Sequence, residues 1–190
     1  NVPFGGASAY LDVPARNSVV TIQVAPSTTA DNPLPLLTSS RIDLERRRDY
    51  TFVVSGRATN PAVAEQPAFT IYLDDTSAVA SGQARVRLIH SSADAGAVDV
   101  YALPANSTTV PAGATPVMAG VDFRSARTIT VAPGTYALLA TPAGNRTTVA
   151  TSLPSVGVTA GGAFTIVARG FATGTPPANQ RLALQVLQDR

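Results

Sequence analysis

Apolar and polar residues alternate along much of this chain with the period of two that marks half-buried strands. Val20, Ile22 and Val24 alternate with Val19, Thr21 and Gln23, which predicts a strand with one apolar face. Tyr50 to Ser55 and Phe164 to Ala168 are near-continuous apolar runs, as found in the middle of a sheet. Ala84 to His90 alternates cleanly, Ser91 to Gly96 reads as a turn, and Ala97 to Tyr101 as the next strand. Pro133-Gly134 and Ala160-Gly161-Gly162 read as hairpin turns. The short charged stretch Ile42 to Arg48 is a turn rather than a helix on this pattern, and no other segment has helical periodicity.

The strand segments recur in one order. Val2 to Tyr10 resembles Val121 to Ile129, and Leu11 to Ala15 lines up with Thr130 to Gly134. Tyr50 to Thr59 matches Phe164 to Thr173, and Phe69 to Asp75 matches Leu182 to Asp189. Matched segments in the same order predict a duplication. The block 84–119 has no counterpart in the first copy, because the chain starts at Asn1 where that block would have ended. The reading is therefore all-β, with two tandem antiparallel β-sandwich (Ig-like) domains. The first covers 1–78 and lacks its N-terminal strands, which either lie outside the sequence, the favoured reading, or are supplied by another chain; the second, complete, covers 84–190.

Composition narrows the function classes. With 190 residues, 45% hydrophobic and only 14% charged, the chain has apolar material for small cores and no disordered character. The absence of cysteine removes disulfides and thiolate metal sites. The net charge is +2, and the 14 basic residues are all arginine. Arg46-Arg47-Arg48 is the one basic run, and it stands just before a strand with no accompanying aromatic stripe. It reads as a solvated turn, so no nucleic-acid partner is expected. No run of about 18 apolar residues suggests a membrane span, although an upstream lipid anchor would lie outside the sequence.

Arg85-Val86-Arg87-Leu88-Ile89-His90, the turn Ser91-Ser92-Ala93-Asp94-Ala95-Gly96 and the strand Val98-Asp99-Val100-Tyr101 resemble the opening of a bacterial family, domain of unknown function 4397. Val2-Pro3-Phe4-Gly5 with Tyr10, Val131-Ala132-Pro133-Gly134-Thr135-Tyr136 and Tyr50 to Gly56 are similar to its later parts. Ala93 and Gly96 stand where the family often has proline, and Arg16-Asn17 replaces its usual Gly-Thr. The resemblance implies a β-sandwich on an exported bacterial protein, often a lipoprotein or surface protein, and no established catalytic residue.

His90 is the single histidine, so its one candidate triad is His90 with Ser91 and Asp94. No Gly-x-Ser-x-Gly elbow accompanies them, and a structural role closing the turn is the better reading. Asp94 and Asp99 offer two carboxylates for a cation and Asp74-Asp75 two more, fewer than calcium needs from one loop. The five tyrosines are scattered and form no sugar-binding platform. Asn106-Ser107-Thr108 and Asn145-Arg146-Thr147 fit the glycosylation pattern by chance. His90, Ser91, Asp94 and Asp99 are thus expected to be turn-forming residues, with no catalytic, metal or cofactor site. The expected function is a non-catalytic structural or adhesive module of the bacterial surface or matrix, self-associating through strand edges. Its finer form is a filament subunit completed by a neighbour's strand. The alternative is an exported lipoprotein module binding carbohydrate, peptide or calcium, located at the surface or in the periplasm.

Overall fold

The computed structural model describes residues 2–13, 21–23, 35–38, 42–57 and 65–189. The chain divides into two compact units, 1–76 and 77–190. The described residues are all-β, with helical structure confined to single 3-10 turns such as Ala178–Gln180.

In the first unit, strand β1 (Thr21–Gln23) pairs antiparallel with β2 (Pro35–Thr38), and β3 (Tyr50–Ser55) with β4 (Ala68–Leu73). Only Thr21–Gln23 of the strand predicted over Val19–Val24 is described; its flanks lie outside the described residues. Ile42 to Arg48 contains a turn at Arg46 and Arg47, and the guanidinium of Arg48 meets Glu45 at 3.4 Å on the surface.

The second unit is a β-sandwich. Its strands are β5 (Ala84–His90), β6 (Val98–Pro104), β7 (Met118–Val121), β8 (Ala126–Val131), β9 (Gly134–Pro142), β10 (Thr151–Val158), β11 (Ala163–Arg169) and β12 (Ala183–Gln188). One sheet runs β10-β9-β6-β7 and the other β12-β11-β5-β8. The alternation turns Ala84, Val86 and Leu88 of β5, Val98 and Val100 of β6, Leu138 and Ala140 of β9, and Phe164, Ile166 and Ala168 of β11 into one core. Burying a side chain such as Leu88 or Ile166 contributes about 1.5–3 kcal/mol. β5 is covered on its other face too, since Arg87 and Ile89 are also buried.

Two features differ from the pattern-based reading. β5 and β11 lie side by side in parallel, with Phe164 opposite Val86 and Ala168 opposite His90, inside an otherwise antiparallel sheet. The turns at Pro133-Gly134 and Ala160-Gly161-Gly162 are not hairpins. β8 pairs with β5 while β9 pairs with β6, and β10 pairs with β9 while β11 pairs with β5, so each turn carries the chain from one sheet to the other. Turn residues fix a local reversal, but the next strand joins whichever sheet its apolar face can help to cover.

Candidate functional site

The turn after β5 holds the residues singled out by chemistry. His90 is fully buried at the end of β5, where its Nε2–H donates to the Gly96 carbonyl at 2.7 Å and its Nδ1 accepts from the Ser92 amide at 3.3 Å. Its ring edge meets Phe123, with centroids 6.4 Å apart. Burial pushes the imidazole pKa down, and the Gly96 bond and the charge of Asp122 only partly oppose that, so the ring is held neutral.

Ser91 points its hydroxyl at the Ala168 carbonyl, 3.0 Å away, and its amide bonds the same oxygen at 2.8 Å. Asp94 accepts from the Ala172 amide at 2.8 Å, the Thr173 amide at 3.1 Å and the Thr173 hydroxyl at 2.6 Å. Burial raises the Asp94 carboxyl pKa, but these hydrogen bonds together outweigh it and hold the group below the usual carboxylate range. His90, Ser91 and Asp94 therefore each bond elsewhere rather than to one another in a catalytic relay. Asp99 is buried in β6 and accepts from the Gly120 amide at 2.7 Å and the Gly144 amide at 2.9 Å. It ties β6 to β7 and to the loop after β9. Among the described residues no three His, Asp or Glu side chains converge as metal ligands.

A second set of contacts lies at the β11–β12 hairpin, and the sequence reading did not single it out. Arg87 donates from Nε and Nη2 to the Thr165 hydroxyl oxygen at 3.0 and 2.8 Å, and that hydroxyl donates to Asp189 Oδ2 at 2.9 Å. The β3–β4 hairpin of the first unit has the same construction. The Thr51 hydroxyl donates to Asp74 Oδ1 at 2.7 Å. The Asp74 amide bonds the Asp49 carbonyl at 2.9 Å, as the Asp189 amide bonds Ala163 at 3.0 Å.

The loop ends match as well. Arg57 N–H bonds the Glu65 carbonyl at 2.8 Å, and Phe171 N–H bonds that of Gln180 at 2.8 Å. Gly56 and Gly170 both have positive φ, +125° and +94°, and a Cβ on either would lie 2.6 or 2.3 Å from a carbonyl across the loop. Earlier in the chain, Gly6 N–H bonds the Pro3 carbonyl at 2.8 Å as Ser125 N–H bonds that of Asp122 at 3.0 Å. The left-handed residue inside each turn is Gly5 in one and Arg124 in the other. The sequence match of Thr51 with Thr165 was the available signal for the threonine; the match set Asp75 rather than Asp74 against Asp189, so the aspartate became visible only in the fold.

The environments differ. Tyr50, Phe52 and Val54 share a face with Leu73, Ile71 and Phe69, the face that Phe164, Ile166 and Ala168 turn into the second core. On β3–β4 that face is only partly covered: Tyr50, Phe52 and Phe69 are half-buried, while Val54 is 43% and Leu73 54% exposed. Of the eight exposed large hydrophobic residues among those described, all but Val117 belong to the first unit: Val2, Phe4, Leu11, Val13, Val54, Ile71 and Leu73.

The fold and these turns define a β-sandwich protein with one packed unit and one hairpin whose apolar face is partly bare. The model of a family described as a domain of unknown function, DUF4397, matches residues 1–101, more than half of the chain, and the chain belongs to that family. The match crosses from the first unit into the second and ends at Tyr101 in β6. No curated protein matches the chain.

Proposed function

We propose that this chain is a non-catalytic structural or adhesive module of the bacterial cell surface or extracellular matrix, acting through protein–protein contacts at strand edges. The observation that carries the reading is the concentration of exposed large apolar side chains in the first unit, three of which, Val54, Ile71 and Leu73, share one face of a hairpin built like β11–β12. Contiguous exposed apolar surface beside a strand edge is a usual mark of a protein-binding site. The polar groups around His90 support the same reading, because each is already spent on a hydrogen bond within the fold. The duplicated hairpin contacts favour a tandem repeat, the architecture of a modular surface protein. In its finer form the module is a filament subunit, its first unit completed by a neighbour. No helix among the described residues is long and apolar enough to cross a membrane.

Sedimentation velocity of the chain over a wide concentration range tests the reading. Concentration-dependent association that is lost in Ile71→Lys and kept in Thr130→Lys is the expected outcome. A monomer at every concentration that also recruits no protein partner would overturn it.

A further inference from the structure

The second unit shows what a β11–β12 hairpin packs against. β5 lies between β11 and β8 in its sheet, parallel to β11 and antiparallel to β8. The first unit contains a counterpart of each neighbour. β3 matches β11, and residues 7–12, which follow the Gly6–Pro3 turn, match β8. Residues 7–12 form no strand, and among the described residues β3 pairs with β4 alone. Leu11 and Val13, near the end of that segment, are 74% and 56% exposed.

The Asp49–Asp74 and Arg57–Glu65 bonds turn the odd-numbered backbone groups of β3 toward β4. By alternation, those of Tyr50, Phe52 and Val54 face the opposite edge, as those of Phe164, Ile166 and Ala168 face β5. At the place corresponding to the Arg87–Thr165 contact, the Tyr10 hydroxyl instead reaches Asp74 Oδ2 at 3.0 Å, beside Thr51.

We infer that the edge of β3 takes up an added extended segment, running parallel to β3, with the alternation of β5 and an arginine opposite Thr51. The inference deepens the reading proposed above and rests on it. The register follows from the second unit: a Val86-like residue opposite Tyr50, a Leu88-like residue opposite Phe52 and a His90-like residue opposite Val54. The added strand supplies ladder bonds on both sides, so residues 7–12 pair as β8 does, and its arginine displaces Tyr10 from the Thr51–Asp74 pair.

A synthetic peptide with the sequence of residues 82–93, titrated into the full 190-residue chain, is the probe. Saturable one-to-one binding with added β-signal in circular dichroism is expected. Thr51→Val in the protein and Arg87→Gln in the peptide should each weaken it about tenfold, the usual scale for a hydrogen bond to a charged group. Tyr10→Phe should tighten it. The chain has no cysteine, so Val54→Cys in the protein and His90→Cys in the peptide give a clean register test: a disulfide forms between them and not when the peptide cysteine is at position 85.

Equal binding of a scrambled peptide, or none in a chain that is folded by circular dichroism, overturns the inference. So does cross-linking of Val54→Cys to a second copy of itself, which would make the occupant another β3. If the peptide fails while concentration-dependent association persists, this inference falls and the interaction module stands. If both fail, the module reading falls with it.

Discussion

The hairpins β3–β4 and β11–β12 are one design in two surroundings. Each has a threonine hydroxyl on an aspartate at the far strand's end, a glycine with positive φ pressed against a carbonyl, and an amide-to-carbonyl bond closing the loop. Every one of these contacts lies within its hairpin, so none depends on the strands around it. Burial behaves differently: Ile166 is 3% exposed, while Ile71 and Val54 on the matching face of the first hairpin are 36% and 43% exposed. Hairpin geometry is thus set by nearby sequence, whereas its contribution to a core depends on the strand beside it and the sheet facing it.

Truncating the shared face should separate the two hairpins most. Ile166→Ala empties a site inside the core and should cost about 3–4 kcal/mol, whereas Phe52→Ala, at the matching position on a half-covered face, should cost about 1–2 kcal/mol. Urea titrations followed by tyrosine fluorescence read both. Equal losses would mean that the first hairpin is as well covered as the second.

The glycines come next. Gly170→Ala places a Cβ 2.3 Å from the Arg181 carbonyl at φ +94°, in a loop held between well-packed strands. About 2–3 kcal/mol of stability should be lost. Gly56→Ala meets a similar clash at 2.6 Å, but its less buried hairpin can shift, so about 1–2 kcal/mol is expected from the same titration.

The hydroxyls should give a smaller contrast. Thr165→Val removes the acceptor of a buried arginine and should cost about 1–3 kcal/mol, while Thr51→Val should cost under about 1 kcal/mol in the isolated chain. A Thr51 loss as large as that of Thr165 would show that the first hairpin already holds an equally buried network.

What the sequence made legible follows the same line between local and distant. The strands, the turn at Ser91–Gly96 and the matched hairpin segments rest on period-two patterns and turn residues, and all lie within short stretches of chain. The parallel neighbour of β11 was not legible, because β5 lies about eighty residues earlier and nothing in an alternating pattern names its partner. The corners at Pro133-Gly134 and 160–162 failed for the same reason: a turn signal says that the chain reverses, not which sheet receives it. At the candidate site, the residues around His90 were visible as types, but the partners of Asp94 and Asp99, namely Thr173, Gly120 and Gly144, come from β7 and from other loops and became visible only in the fold.

The finest contrast between the units is their response to acid, since the only histidine lies in the second. Burial lowers the pKa of His90 in the folded state below its ordinary 6.5. Between those two values the unfolded chain binds more protons than the folded one, so stability rises with pH across that window. It is fully present above about 6.5 and falls as the pH drops toward the lowered value, by at most about 1.4 kcal/mol for each unit. Protonation at Nδ1 also removes the acceptor of the Ser92 amide, loosening the turn that leads to Asp94. Urea midpoints measured from pH 7.5 to 5 should therefore fall with acid in the natural chain. In His90→Gln they should be lower at neutral pH but nearly flat over the same range. A slope unchanged by His90→Gln would assign the acid response to carboxylates and remove the imidazole from it.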